Sequence, residues 1–522
     1  MQVYIVYLEK KGNLEFVAMK KQTIYIIISF AVVKLILHLL ADSHSGFQGD
    51  ELLHIDTGNH LAFGYMEFPP LIGLIAYMQN LVSTTSVYWH HISVHIASII
   101  ILVYVAKIVV AIGGGNRAVF VALLCIIIAP GFGRSQQLFQ PVVFSQLVWV
   151  LSFYQFLLFV QYCKKRNLQY LTILVILGFS TKYDFFFFAV GLTTLLYYKP
   201  TRTAMQTYKW GQIVLVVLFA LLPNIIWQVY HNYPALQMAT RLYDTQLNKI
   251  TRVKNITNLV LSVNPLLLII IMAAVMFFCS KMQLRYKPIG YAILISFLVL
   301  LCTNGKSYYY FPIVLTLIPF GSVRLEHFFA KQKTYKFVLF SVLLFVGVLL
   351  IPFGMPVYSF AEYKNLIQKY ETKNVAGGTI VIKYDEYYAN HKWDSTMQLV
   401  KAVYDSLPNA EKQQCLIWGK HYAQVGAVNF YKSKYSTPPA FSLHGSNYNW
   451  LPMGNMPSTV IGVSYRVGKF FEQYFKQVQI VKQLYNPYSD NEEELYQYIY
   501  VCKQPLQTFD ELKVKFRSRV FE

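Results

Sequence analysis

Charge is what this sequence has least of. Only 14% of its 522 residues are Asp, Glu, Lys or Arg, against about a quarter in an ordinary soluble protein. Together with a hydrophobic share of 55%, gathered in runs long enough to cross lipid, this excludes a soluble globular chain. Acid is scarcer than base, 25 residues against 46, for a net charge of +21. The surplus does not point to nucleic acid, because much of the Lys and Arg sits in short loops between apolar runs. That distribution belongs to membrane orientation and contact with anionic lipid. Cysteine is sparse, and the six present have no metal-binding spacing. Cys125, Cys163, Cys279 and Cys302 fall in or beside apolar runs, as small packing residues do. Cys415 and Cys502 lie in a polar tail and can pair if that tail is extracytoplasmic, though their spacing decides nothing. Internal repeats and low-complexity segments are absent. So is a small-residue cleavage site after the first apolar run, so Lys10, Lys11, Lys20 and Lys21 precede an uncleaved helix rather than a signal peptide.

What is present is a series of apolar segments. Eleven spans are expected, near 23–41, 92–112, 117–130, 142–162, 169–181, 184–198, 210–230, 257–279, 288–303, 308–322 and 337–352. The segment 69–83 is apolar but short and opens on two prolines, so it is expected to lie at the interface or to re-enter. Basic clusters at Lys164-Lys165-Arg166, Lys199/Arg202/Lys209, Lys281/Arg285/Lys287 and Arg324/Lys331/Lys333/Lys336 alternate with loops poor in base. Placing them, and the N-terminus, in the cytoplasm leaves the loop 42–68 and everything beyond about 353 outside. The outer loop 231–257 breaks the pattern with Arg241, Lys249, Arg252 and Lys254, suggesting either an anionic ligand or lipid headgroups. The tail, 353–522, is polar and rich in Tyr. Strand-like runs at Thr379–Ile382 and Thr459–Val463 and a helix-like run from Thr396 to Leu407 predict a mixed α/β domain beyond a membrane domain of 1–352.

The most informative stretch is GDELLHIDTGNHLAFGYMEFPPL, from Gly49 to Leu71. No Lys or Arg occurs between Lys34 and Lys107, while Asp42, Asp50, Glu51, Asp56 and Glu67 all fall within that window. Acids just outside a first span make a poor anchor. A carboxylate there beside a second one can serve as a general base or hold a metal, and like charges held close raise one pKa, which helps a base. An Asp-Glu pair in a polar loop is also commonplace, so the pair alone does not identify an active site.

As a set, Asp50-Glu51, Gly58, His60-Leu61-Ala62, Gly64-Tyr65 and Pro69-Pro70-Leu71 resemble the first outer loop of the family 39 glycosyltransferases. This is the superfamily of protein O-mannosyltransferases and of bacterial transferases that modify lipid A and lipopolysaccharide, all with the GT-C fold. The resemblance continues at Leu177–Tyr183, at Pro223-Asn224 with Trp227-Gln228, His231 and Tyr233-Pro234, and at Lys306 with Tyr308-Tyr309-Tyr310 and Pro312. In the tail it includes His421–Ala427, Phe430-Tyr431 and Pro438-Pro439-Ala440. It therefore runs through nearly the whole chain.

The resemblance implies an inverting glycosyltransferase of the bacterial inner membrane, multi-pass and acting as a monomer. Such an enzyme takes a sugar from a polyprenyl-phosphate carrier and transfers it to an acceptor hydroxyl of a lipid, glycan or protein on the periplasmic face. Asp50 takes the place of the catalytic base, with Glu51 positioning the acceptor or helping to shape the site. Lys306 and Tyr309 are the leading carrier-phosphate contacts, followed by Lys182, Arg252 and Lys254. His60, Tyr65 and Glu67 are candidates for sugar or acceptor binding. A divalent metal is an open expectation, with Glu67 and His231 as candidate ligands. The alternative for both lysines is an interface anchor that snorkels beside aromatic residues, and for His231 a hydrogen-bonded structural role.

The chain departs from the family in two places. Phe68 stands where some relatives have Lys before the two prolines. The second outer loop, Arg134 to Gln146, carries no acid where some relatives have one, so Gln136, Gln137 and Ser145 are candidates to bind in its stead. Two other readings stay open: a flippase or transporter of polyprenol-linked lipid, and an inactive relative that binds the carrier without turnover. A transporter should hide ionisable residues inside spans and show inverted repeats, whereas this chain collects its acids in a loop.

Overall fold

In the computed structural model the described residues are 19–330, 332–368, 385–486, 489 and 494–521. The expected strand at 379–382 and Lys10 and Lys11 lie outside them. Among the described residues, six helices are each long and apolar enough to cross a membrane: Lys21–His44, Val87–Ala111, Pro141–Tyr162, Trp210–Tyr230, Leu284–Cys302 and Phe337–Gly354. The protein is thus a multi-pass membrane protein. The other five expected spans meet helices that are short, broken or more polar. Asn116–Ile127 has 12 residues, and the 184–198 segment divides into Phe186–Gly191 and Thr194–Tyr197. The 257–279 segment is two helices, Arg252–Ser262 and Leu267–Cys279, bent by 106°. Pro265 follows Asn264, whose φ is 75°, and neither continues an α-helix. Hydropathy averages over such a bend, which is why one span was expected there. The Leu71–Asn80 helix has ten residues, about 15 Å at the usual rise, and is too short to cross.

The outer faces of these helices require lipid. Along Trp210–Tyr230, Leu215, Phe219 and Ile226 are all exposed, a surface water does not tolerate at this extent. The bundle interior is formed by Val87–Ala111, Asn116–Ile127, Pro141–Tyr162 and Phe311–Phe328, which contribute Ile101, Val105, Leu123, Phe156 and Phe320, all at zero exposure.

The tail is a mixed α/β domain, as expected. Five strands, β1 (Leu416–Gly419), β2 (Ala440–Phe441), β3 (Thr459–Ser464), β4 (Phe475–Tyr485) and β5 (Tyr496–Pro505), form a sheet in the order β2-β1-β3-β5-β4. β1 runs parallel to β2 and β3, and β5 is antiparallel to β3 and β4. Because side chains alternate across a sheet, Ile417, Ile461 and Ile499 join the core continuous with the membrane bundle. Their neighbours Trp418, Val460 and Tyr500 build a second core on the far face with Phe471, Tyr474 and Phe509. Cys415 and Cys502 are both buried and free, so they do not pair. The expected helix at 396–407 is the end of Asp385–Ser406.

The tail grips the 42–68 loop directly. The Tyr422–Tyr435 helix lies against the Gly49–Thr57 helix so closely that a Cβ on Gly426 would stand 2.7 Å from the Leu52 carbonyl carbon. That contact explains the glycine in the His421–Ala427 motif. Trp393 Nε1 donates to the Phe47 carbonyl at 2.9 Å, and Asn429 Nδ2 donates to Asp56 at 3.0 Å.

Candidate active site

The Asp50-Glu51 pair opens a nine-residue helix, Gly49–Thr57, rather than lying in an open loop. Gln48 caps it, and Glu51 Oε2 accepts the Gln48 backbone N–H at 2.7 Å in a capping box, which satisfies donors the helix start would leave orphaned. The two acids then part company. Glu51 has zero exposure, and its Oε1 accepts from the Phe139 N–H at 2.6 Å and from His91 Nε2 at 2.8 Å. Burial works to raise its pKa, but the opposing His91 and the donated hydrogen bonds hold it below the ordinary carboxylate value. Both its oxygens are committed inside the protein, so the structure leaves Glu51 no contact with an acceptor.

Asp50 is half-buried. Its Oδ1 accepts from the Tyr422 hydroxyl at 2.6 Å, and Lys306 lies within electrostatic reach. Burial holds the Lys306 ammonium below its usual pKa, and Lys182 adds to that while Asp50 opposes it. Lys306 sits in the turn before the Tyr308-Tyr309-Tyr310 segment. That turn is held by Asn304 Nδ2, which donates to the Ile250 carbonyl at 3.0 Å, and by Asn255, which donates to the Gly305 carbonyl. Lys182, at the end of the Lys165–Thr181 helix, lies over the Tyr309 ring at 4.1 Å and pairs with Asp184 at 2.6 Å. Asp50, Lys182 and the Lys306–Tyr309 segment therefore come together from three separate parts of the chain.

Other candidates fall elsewhere. Arg252 and Lys254 are exposed in the first turn of the helix whose Asn255 anchors the Lys306 turn, and Arg252 lies within electrostatic reach of Tyr310. Gln136 Nε2 donates to Gln146 at 2.7 Å and Gln137 Nε2 to Asp42 at 3.0 Å; both residues are fully buried, and the Gln136 Oε1 has no partner. Ser145 donates to Asp184 at 3.0 Å, so the acid its loop lacks is met by one from the next turn. Glu67 is held by the backbone N–H of Ser446 at 3.0 Å and by its hydroxyl, and burial raises its pKa. Gly445, at φ 58°, lets the tail turn this tightly over Glu67, where a Cβ would collide with the carboxylate.

His60 stacks on Trp450 at 4.2 Å and 7°, and His231 stacks on Trp227 at 4.1 Å with Nδ1 against the Trp227 carbonyl. These two ring pairs, with Asn59 and Gly64, line a cavity of about 450 Å³ between the outer loop, the Trp210–Tyr230 helix and the tail. The Tyr65 ring is buried at its edge, where its hydroxyl donates to the His60 carbonyl at 3.2 Å. Glu67 and His231 do not meet as metal ligands. Among the described residues, the group of three side chains within ligating reach is Asp42, His91 and His95. Sequence reasoning passed over these, although two histidines four apart on an apolar helix were a signal. Tyr422 falls within the His421–Ala427 motif, but its contact with Asp50 comes from tertiary packing, and Asp184 carried no signal.

Glu51→Gln tests the holding role. A carboxylate takes three donors here, whereas an amide must turn its NH₂ toward at least one of them. A buried mismatch costs about 1–3 kcal/mol, more where charge is involved. The variant is expected to unfold several degrees below wild type in a thermal-shift measurement, and an unchanged Tm would remove Glu51 from that role.

Residues 68–227 match the family described as dolichyl-phosphate-mannose-protein mannosyltransferase. No curated protein sequence matches significantly. Among solved structures, ArnT from Cupriavidus metallidurans bound to undecaprenyl phosphate superposes with a TM-score of 0.55 at 10% identity, covering 91% of this chain and 97% of that one. The same protein in its apo state gives 0.57 at the same identity and coverage. The resemblance read from the motifs thus holds on two independent grounds: the chain has the GT-C fold of ArnT, and its 68–227 segment is similar to the mannosyltransferase family.

Proposed function

We propose that this protein is an inverting glycosyltransferase that moves a sugar from a polyprenyl-phosphate carrier to an acceptor hydroxyl at the outer face of a bacterial inner membrane. The observation that carries this reading is a half-buried carboxylate, Asp50, held by the Tyr422 hydroxyl, with the partly buried ammonium of Lys306 within its electrostatic reach. The family match of residues 68–227 supports glycosyl transfer, and the carrier lipid bound to ArnT supports a lipid phosphate as leaving group.

In this reading Asp50 accepts the proton of the acceptor hydroxyl as its oxygen attacks the anomeric carbon from the face opposite the phosphate. The bond from that carbon to the phosphate oxygen breaks, and the electron pair leaves with the lipid phosphate. A phosphate of this kind leaves as an anion without a general acid, but it requires fixed positive charge. Lys306 supplies it, with Lys182 held beside it by Asp184 and Tyr309. The Tyr422 hydroxyl keeps the Asp50 carboxylate turned toward the site. The cavity between His60/Trp450 and Trp227/His231 takes the sugar or acceptor ring, because aromatic faces with a few amides suit a ligand having both apolar and hydroxylated faces. Residues 1–352 form the membrane catalytic domain and 353–522 a periplasmic domain that closes over the loop.

The test is turnover by the purified full chain in lipid nanodiscs. Each of a panel of labelled polyprenyl-phosphate sugars is offered with envelope lipids, glycans and proteins as acceptors. Release of polyprenyl phosphate with transfer of label is expected for at least one donor. Carrier binding without release from any donor would overturn the proposal in favour of a transporter or an inactive relative.

A further inference from the structure

Beneath the candidate active site lies a chain of buried side chains that the transfer chemistry does not use. Asp42 ends the first helix, and His91 and His95 lie one turn apart on Val87–Ala111. None is more than 6% exposed. Asp42 Oδ1 is 2.7 Å from His91 Nδ1, and Asp42 Oδ2 is 2.7 Å from His95 Nε2. The ligating atoms of all three residues lie within 4.8 Å of one another. On its far side His91 meets Glu51 at 2.8 Å, and His95 Nδ1 meets His38 Nδ1 at 3.0 Å. His38 is itself fully buried, and its Nε2 has no partner.

Both ring nitrogens of His91 thus face carboxylate oxygens. A neutral imidazole carries one proton and can satisfy only one of them, so either a second proton on the ring or a cation on its Asp42 side completes the arrangement. A divalent cation held by Asp42, His91 Nδ1 and His95 Nε2 resolves this, because His91 then keeps a single proton, on Nε2, for Glu51. An imidazole bound to metal through one nitrogen and to a carboxylate through the other is the usual arrangement at such sites, with the carboxylate fixing the tautomer. Two imidazoles and one carboxylate select a transition metal of the zinc class over calcium or magnesium, which take oxygen donors. The geometry points to a buried site for one such ion at Asp42, His91 and His95, with Glu51 as the carboxylate that orients His91. The ion would tie the end of the first helix to Val87–Ala111, and His91 would pass the hold on to Glu51 of the helix that carries Asp50, so its place is structural and is separate from the transfer step.

The experiment is metal content. The full chain is purified in detergent after growth with Zn²⁺, dialysed against metal-free buffer, and measured by mass spectrometry beside His91→Gln, His95→Gln and Asp50→Asn. About one zinc per chain is expected in wild type and in Asp50→Asn, with at least a fivefold loss in each histidine variant. Wild type holding no zinc, or histidine variants holding as much as wild type, would overturn the site and leave a proton-filled hydrogen-bond chain. Where the histidine variants fail to fold, wild type alone decides. Co²⁺ loading should give the visible d–d absorption of a tetrahedral nitrogen–oxygen site, and stripping with chelator should lower Tm, since an ion that binds only the folded state stabilises it. Co²⁺ that stays spectrally octahedral, or a Tm indifferent to chelator, would overturn the site. None of these readouts depends on transfer activity, so the proposed function and the metal site can fail separately.

Discussion

Asp50→Asn is expected to abolish transfer while leaving the protein folded and its carrier bound. The substitution is nearly isosteric, and the amide oxygen can still accept the Tyr422 hydroxyl that now donates to Oδ1 at 2.6 Å. What is lost is the capacity to take a proton. A positioned general base contributes about 10²–10⁴ in rate, so kcat in the labelled-sugar assay should fall by roughly that factor, with little change in lipid affinity or Tm. Asp50, unlike Glu51, is open enough to reach a substrate, so the pair separates experimentally. Asp50→Asn should cost turnover alone, and Glu51→Gln should cost stability together with whatever activity depends on it. Equal transfer by wild type and Asp50→Asn would remove Asp50 from the chemistry and turn attention to Glu67 or Asp184.

The residues that were legible in the sequence share a property: their signal is local. The Gly49–Leu71 motif, the apolar runs and the strand at 459–463 each announce themselves within a short window, by spacing or by residue type. The two acids of one dipeptide looked equivalent because nothing in the sequence records that Glu51 is the third residue of a helix, turned inward onto His91 and the Phe139 N–H. Gln136 and Gln137 looked like free amides in an outer loop, yet both are buried and spoken for by Gln146 and Asp42. The span count is unconfirmed for a related reason. A hydropathy window cannot see the 106° bend after Ser262 or the break at Gly191. Tyr422 was legible only as a member of the His421–Ala427 motif and Asp184 not at all, because each is hundreds or tens of residues from the carboxylate or hydroxyl it meets. Lys182 and Lys306 were legible as motif members, but only the fold shows that they lie within reach of each other.

Lys306→Met should fold normally and lose most of its turnover. Methionine fills nearly the same space without charge, so the variant isolates the ammonium. Removing one group that stabilises charge developing in the transition state costs about 10²–10³ in rate, and the loss should appear in kcat as well as in carrier affinity because the phosphate gains charge as the glycosidic bond breaks. Lys182 lies close enough to perturb Lys306, so some residual rate should survive and Lys182→Met combined with Lys306→Met should lose more than either alone. An interface anchor behaves in the opposite way: its removal lowers Tm or insertion and leaves kcat intact. The pH profile separates the two further. Burial holds the Lys306 ammonium below the ordinary lysine value of 10.5, so transfer that depends on its charge is present below that lowered value and is lost as pH rises through it. The alkaline limb should therefore begin earlier than for a solvent-exposed lysine and should vanish from the residual activity of Lys306→Met. A variant with wild-type kcat and an unchanged alkaline limb would return Lys306 to the role of an anchor and leave the leaving phosphate to Lys182.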